Sequence, residues 1–144
     1  MRPITLLVTL AYVGLVCWLT LGTVSNHRIG YEVPGGVLNP DAWLRSATWE
    51  VGPPSEILAN IVLFVPVGVL FALVFGRRLW WLAMLAAVAL TATIEVLQIP
   101  MPDRISDPRD LVANTAGAVI GLGVVSVGWL ASALARAIRR AALS

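Results

Sequence analysis

The apolar positions of the chain are grouped into four long runs that are almost free of charge, and polar segments of unequal length separate these runs. The runs predict membrane spans at about residues 4–24, 56–75, 79–99 and 108–134. At about 1.5 Å of rise per residue, each run is long enough to cross a hydrocarbon core of about 30 Å as a helix. The pattern therefore predicts an all-α fold, an integral membrane four-helix bundle that forms a single domain over residues 1–144.

The first run has a rival interpretation as a cleaved signal peptide. Its 21 uncharged positions exceed the apolar core of a signal peptide, which has roughly 7–15 residues. Ser25, Asn26 and His27 follow the run in place of the small residues of a cleavage site. We therefore expect an uncleaved helix.

The segment 25–55 is polar, and we predict that it forms an outer loop. Asn39 is placed to cap a short helix with Pro40 at its first position. Trp43 and Trp49 then lie at the depth of the lipid headgroups. An ordered loop anchored by the two tryptophans is the alternative.

The fourth run opens with a helix-start signal, Asp107 as N-cap and Pro108 at the first helical position. Ala113, Gly117 and Gly121 follow at four-residue spacing and make a ridge of small residues. Such a ridge permits the backbone of a neighbouring helix to approach closely. We therefore expect the fourth span to pack tightly against a neighbour.

The composition narrows the class of protein and of partner. The chain is 58% hydrophobic and only 12% charged, with a mean hydropathy of +0.85, which is typical of membrane proteins. All ten basic residues are arginines, most of them near predicted helix ends, which suits lipid headgroups better than nucleic acid. One histidine and one cysteine cannot form a Cys/His metal site. We expect no cofactor, no metal and no nucleic-acid partner.

The distribution of arginines predicts the orientation in the membrane. The N-terminus, the turn at 76–78 and the C-terminal tail hold six arginines, whereas the segments 26–55 and 100–109 hold four. The positive-inside rule then places both termini in the cytoplasm and both longer loops outside.

With this orientation, the polar residues within the spans fall into one layer. They lie at the start of the second span, the end of the third and the start of the fourth, within roughly 10 Å of one membrane face: Glu56, Asn60, Glu95, Gln98, Asp110 and Asn114. Carboxylates and amides in apolar helices are costly and need partners or a function.

Three interpretations of this layer remain open. In the structural one, Glu95 pairs with Arg104 or Arg109, Asp110 is only an acidic residue at a helix start, and the amides join helices. The ridge of small residues would also let Asn60 and Asn114 bond where the fourth span meets its neighbour. In the binding one, an outward-facing pocket holds a lipid headgroup or another envelope molecule. In the enzymatic one, two carboxylates perform acid–base chemistry on such a molecule. A transporter fits poorly, because four spans leave little room for alternating access.

Three segments of the chain resemble the VanZ-like family of small bacterial membrane proteins: EILANIVLFVPVGVL, IEVLQ and DRISDPRDLVANTAGAVIG. The positions that carry this resemblance are Asn60, Phe64, Pro66, Gly68, Glu95, Gln98, Arg104, Asp110, Asn114 and Gly117. The resemblance implies a four-helix protein of the cell envelope and an association with resistance to teicoplanin rather than vancomycin. The resemblance does not imply a particular chemical reaction.

Together, these inferences predict a multi-pass protein of the bacterial cell membrane that acts by binding rather than by catalysis. We expect the ligand to be a membrane lipid, a cell-wall precursor or an amphiphilic lipoglycopeptide antibiotic. The arginines of the outer segments are suited to a phosphate group. The predicted binding residues are Asn60, Glu95, Gln98, Arg104, Asp110 and Asn114. The alternatives are an accessory protein whose polar cluster only fixes helix packing, and an acid–base enzyme acting on an envelope lipid.

Overall fold

The computed structural model describes residues 3–22, 33–50 and 53–143, and in these residues the fold is helical with no strand. In chain order its helices are α1 (Pro3–Leu21), α2 (Pro40–Leu44), α3 (Ser46–Glu50), α4 (Pro54–Phe75), α5 (Trp80–Gln98) and α6 (Pro108–Ala141). Two 3₁₀ turns, Gly36–Leu38 and Arg77–Leu79, precede α2 and α5. The four long helices α1, α4, α5 and α6 are each long and apolar enough to cross a membrane. The predicted all-α membrane fold is therefore confirmed.

The helix bounds differ from the predicted spans mainly at the ends. Helix α4 begins at Pro54, and α6 continues through Ala141 although the predicted span ended at residue 134. Neither Gly nor Pro occurs after Gly128, so nothing in the local sequence breaks the helix where the apolar pattern fades. At 34 residues, α6 is roughly 51 Å long, so one end projects beyond a hydrocarbon core of about 30 Å. The end of the predicted first span at 23–24, and Ser25 to His27, lie outside the described residues.

The N-caps predicted at Asp107 and Asn39 are confirmed. The Asp107 carboxylate accepts a hydrogen bond of 2.8 Å from the Arg109 amide, which opens α6 with Pro108 at its first position. The Asn39 side-chain oxygen accepts a 3.0 Å hydrogen bond from the Asp41 amide and opens α2. Each cap satisfies an amide that the first turn of a helix leaves without a partner.

Helices α4 and α6 form the closest pair in the bundle. Gly117 and Gly121 of α6 lie directly against the backbone carbonyls of Ile61 and Val65 of α4, and Gly68 lies against Ala118. A β-carbon at any of these glycines would overlap the facing backbone. The predicted ridge of small residues is therefore the surface that brings these two helices together.

All four long helices contribute to one apolar core. Its fully buried members come from α1 (Val16), α4 (Phe64, Val67), α5 (Ala87, Ile94) and α6 (Ala118). The outward surfaces of the same helices carry exposed Leu, Val, Ile and Trp side chains. In a membrane these side chains contact lipid, so the apolar exterior is an expected property of this fold.

The segment 33–50 packs over one end of the bundle. We call this the polar end; it comprises the last turns of α1 and α5 and the first turns of α4 and α6. The Val37 amide donates a 3.2 Å hydrogen bond to the Ser106 hydroxyl, and Thr48 is buried. Trp43 and Trp49 remain partly exposed, with ring centroids 6.5 Å apart. The short-helix prediction for this segment is therefore correct.

Candidate functional site

A cavity of about 250 Å³ lies at the polar end, among all four long helices. It reaches the protein surface between α1 and α4, where Leu19 and Ala59 are exposed. All six predicted binding residues line it. The lining residues are Leu19, Thr20, Glu56, Ala59, Asn60, Leu63, Ile94, Glu95, Gln98, Arg104, Ile105, Asp107, Asp110 and Asn114. The single polar layer predicted from the sequence is thus one physical compartment.

Glu95 joins the end of α5 to the start of α6. Its side chain is only 1% exposed, and its Oε2 atom accepts a 2.8 Å hydrogen bond from the Asp107 amide. Because Asp107 is itself the N-cap of α6, the Glu95 carboxylate fixes the position of the cap. Glu95 therefore has a structural contact and still faces the cavity.

The predicted pairing of Glu95 with Arg104 or Arg109 is wrong. Arg109 lies 3.9 Å from the Glu56 carboxylate, so it joins α6 to α4 instead. Arg104 donates to the backbone carbonyls of Leu19 and Gly22 at the end of α1. The negative end of a helix attracts a cation, which accounts for this choice of partner.

Gln98 fastens the same end of α1 to α5. Its Nε2 atom donates a 2.9 Å hydrogen bond to the Thr20 carbonyl. A carbonyl oxygen can only accept, so the orientation of the Gln98 amide is fixed and its own oxygen points elsewhere. With Arg104, this bond makes the last turn of α1 one wall of the cavity.

The predicted bond between Asn60 and Asn114 is also wrong. Asn114 donates a 2.9 Å hydrogen bond to the hydroxyl of Thr91, which is completely buried on α5. Asn114 thereby connects α6 to α5 rather than to α4. Asn60 is half-buried and lines the cavity from the α4 side.

Three buried polar atoms of the cavity lining have no hydrogen-bond partner in the described structure: Gln98 Oε1, Asn114 Oδ1 and Arg104 Nε. Unpaired buried polar atoms are uncommon and costly in native proteins. A cavity of about 250 Å³ is far larger than a single water requires, roughly 10–15 Å³. The space and the unpaired atoms together indicate a compartment that holds polar material.

The electrostatic balance of the lining is acidic. Among the lining residues that the structure describes, four are carboxylates (Glu56, Glu95, Asp107 and Asp110) and one, Arg104, is a guanidinium. Asp107 and Asp110 both interact electrostatically with Glu95. Among the described residues, no group of three His, Cys, Asp or Glu side chains is arranged to hold a metal ion.

Sequence reasoning missed the contribution of α1. Leu19, Thr20 and Gly22 act through their backbone carbonyls, and a carbonyl carries no sequence signature. Thr91 was missed because a lone threonine within an apolar run is common and carries no signal of its own. The spacing of acidic and amide residues was sufficient to find the α4, α5 and α6 walls.

A second, larger concavity of about 540 Å³ lies between α5 and α6 at the opposite end. Of its described lining residues only Arg77 is charged, and the rest are mainly apolar or aromatic side chains. No unpaired buried polar atom belongs to its described lining. The polar-end cavity is therefore the candidate site despite its smaller volume.

The sequence model of the VanZ/LLP1 family matches residues 9–131. Searches of curated proteins and of solved structures gave no match. The matched region contains α4 and α5, most of α1 and α6, and every residue of the cavity lining. The chain belongs to the VanZ/LLP1 family.

Proposed function

We propose that this VanZ/LLP1 protein binds the polar end of an amphiphilic cell-envelope molecule in the cavity at its polar end. In this proposal the protein is a multi-pass protein of the bacterial cell membrane, with the cavity facing outward and both termini in the cytoplasm. The ligand enters from the membrane between α1 and α4, where the lining is exposed.

One observation carries the proposal: the cavity is polar, spacious and incompletely satisfied by the protein itself. Gln98 and Asn114 line the cavity and are 7% and 2% exposed, yet each has a side-chain carbonyl oxygen without a partner. A cluster that served only to join helices would be expected to close on itself. A ligand with hydrogen-bond donors would satisfy both atoms.

The volume limits what can enter. Sites for drug-sized molecules usually have about 300–1,000 Å³, and this cavity has about 250 Å³. It accommodates a lipid headgroup or one polar end of a larger molecule. A lipoglycopeptide antibiotic would therefore be bound only through a terminal group, with most of the molecule outside.

The second candidate function is an accessory role in which the polar cluster only fixes helix packing. Specific contacts favour it, since Glu95, Arg104 and Asn114 each join two parts of the bundle. The two candidates differ in what they predict for variants. If packing is the only role, substitutions in the cluster reduce activity only as far as they reduce stability.

The direct test is to purify the protein in mild detergent and to identify the lipids that remain bound. Wild type should retain a specific envelope lipid that Glu95→Gln and Asp110→Asn lose. Gly123→Ala is the matched control, because that position has open space around it and lies outside the cavity. Equal lipid content in all four proteins would contradict the binding proposal.

A cellular test addresses the resistance implied by the family. A sensitive host is compared when it expresses wild type, Glu95→Gln or Gly123→Ala at matched membrane levels. We propose that wild type and Gly123→Ala protect against teicoplanin but not vancomycin, and that Glu95→Gln does not protect. Equal protection by Glu95→Gln would show that resistance does not depend on the Glu95 carboxyl group in the cavity.

A further inference from the structure

The unpaired atoms and the charge of the cavity lining specify the chemistry of its ligand. We infer that the cavity takes a primary ammonium group, such as the aminoethyl headgroup of a phospholipid, with any phosphate outside the carboxylate cluster. This inference rests on the proposed binding function and adds the ligand class. It differs from the phosphate group that the outer arginines suggest from sequence alone.

The first support comes from the direction of the hydrogen bonds that the cavity lacks. The side-chain NH2 group of Gln98 donates a hydrogen bond to the Thr20 carbonyl, and that of Asn114 donates to the Thr91 hydroxyl. The atoms left unpaired are their carbonyl oxygens, which can only accept. A ligand for these two atoms must therefore bring N–H or O–H groups.

The second support is the charge around those acceptors. Among the described lining residues, four carboxylates face one guanidinium, and Arg109, outside the lining, pairs with Glu56. The NH2 group of Arg104 donates to two carbonyls of α1, and its Nε atom is buried without a partner. A cation with several donors is favoured here over an anion.

Glu95 is the carboxylate best placed to meet the ammonium. Glu56 pairs with Arg109, the Asp107 side chain caps α6, and Asp110 has an interaction of its own, so these three contribute mainly through their charge. The Glu95 carboxylate accepts from the Asp107 amide and the Ser106 hydroxyl, and a carboxylate can accept about four hydrogen bonds in all. Glu95, Gln98 and Asn114 therefore provide three acceptors on two adjacent helices.

The lining also distinguishes a primary ammonium from a quaternary one. Quaternary ammonium groups have no N–H donor and are usually bound against aromatic rings. The described cavity lining contains no aromatic side chain. A choline headgroup would leave the two carbonyl oxygens unpaired, whereas an ethanolamine headgroup would satisfy them.

The experiment is native mass spectrometry of the full-length protein with phospholipids that share the same acyl chains. Phosphatidylethanolamine, phosphatidylcholine and phosphatidylglycerol are titrated against wild type, Glu95→Gln, Gln98→Leu and Gly123→Ala. We expect wild type and Gly123→Ala to prefer phosphatidylethanolamine by about tenfold, the effect of one charge-assisted hydrogen bond. The preference should fall to near unity in Glu95→Gln and Gln98→Leu.

The outcomes separate this inference from the proposed function. No specific binding of any lipid would overturn both. Glu95-dependent binding of phosphatidylglycerol or phosphatidylcholine, at least as tight as that of phosphatidylethanolamine, would overturn the ammonium inference and leave the binding function standing. A preference for phosphatidylethanolamine that persists in both cavity variants would show that this lipid binds outside the cavity, and would also overturn the inference.

A further arm identifies the source of the ammonium group. Free ethanolamine is added to the wild-type protein at increasing concentration. Displacement of the lipid would support binding of an ammonium group and would show that a soluble amine can supply it. Retention of the lipid together with the tenfold preference would support a lipid-borne ammonium, because the acyl chains then supply part of the affinity.

Discussion

At the scale of single residues, Glu95 has two separable roles. Its carboxylate accepts a hydrogen bond from the Asp107 amide and also faces the cavity, while almost no part of the residue is exposed to solvent. A substitution that keeps an acceptor but removes the acidic group should affect only the second role. A substitution that removes both should affect both roles.

We therefore predict different outcomes for Glu95→Gln and Glu95→Ala. Glu95→Gln should keep the thermal stability of the detergent-solubilised protein close to that of wild type. Glu95→Ala should lower the free energy of unfolding by about 1–3 kcal/mol, because the buried Asp107 amide loses its partner. Thermal unfolding of both variants measures this, and a Glu95→Gln protein as unstable as Glu95→Ala would contradict the separation.

A second residue-scale prediction concerns Thr91 and Asn114. Their 2.9 Å hydrogen bond is buried among the helices of the bundle. A double-mutant cycle with Thr91→Val and Asn114→Leu should give a coupling energy of about 0.6–1.7 kcal/mol, the range for interhelical bonds in membranes. A coupling energy of zero would mean that the bond does not join α5 to α6.

Residue identity predicted the α4, α5 and α6 walls of the site but not the partners within it. Glu95, Gln98 and Asn114 stand out because amides and acids are rare inside apolar helices. Their actual partners include the Thr20 carbonyl, the Asp107 amide and the common residue Thr91. Which of these groups meet depends on helix rotation and tilt, and packing of the whole bundle decides both.

At the scale of helices, the α4–α6 contact depends on glycine. Gly121 lies against the Val65 carbonyl, whereas Gly123, half a turn further along α6, has nothing within 4 Å of an added β-carbon. The two positions share one helix and one residue type. They form a matched pair that differs only in its surroundings.

Gly121→Ala should therefore lower the free energy of unfolding by about 1–3 kcal/mol through overpacking. Gly123→Ala should leave it unchanged or raise it by up to about 1 kcal/mol, because alanine is the better helix former. Thermal unfolding of the two variants in one detergent is the measurement. Equal destabilisation of both would show that helix propensity, not the close contact, determines the effect.

The end of α1 provides a further element-scale prediction. Arg104 donates to the carbonyls of Leu19 and Gly22 and so holds that end against the loop after α5. Arg104→Ala should speed amide hydrogen exchange in the last turn of α1 while leaving α4 and α6 protected. Arg78→Ala, an exposed arginine between α4 and α5, is the control and should leave α1 unchanged.

Local sequence predicted most elements, because each long helix coincides with an apolar run and α2 and α6 begin at recognisable caps. The C-terminal end of α6 was not predicted, because a run of apolar residues marks only the part of a helix that lies in lipid or in the core. Residues beyond residue 134 stay helical because their alanines and arginines are good helix formers. Hydropathy carries no information about that extension.

At the scale of the whole molecule, the arginine distribution predicts the orientation in the membrane, with both termini in the cytoplasm. Cys17 is the only cysteine, so a Cys17→Ser background permits single cysteines at Leu38 and Leu143, both well exposed. A membrane-impermeant maleimide should label Leu38→Cys in intact cells, and Leu143→Cys only after permeabilisation. The reverse labelling pattern would place the cavity on the cytoplasmic side.

The most direct measurement of ligand binding is the thermal stabilisation that a total polar lipid extract from a bacterial host gives to wild type, Glu95→Gln and Gly121→Ala. A ligand that binds only the folded state raises its stability by mass action. Gly121 lies outside the cavity lining, so Gly121→Ala controls for lost packing stability. We predict that wild type and Gly121→Ala gain the same several degrees and that Glu95→Gln gains much less. Equal gains in all three proteins would show that lipid acts on the general apolar surface, and would contradict a ligand in the polar cavity.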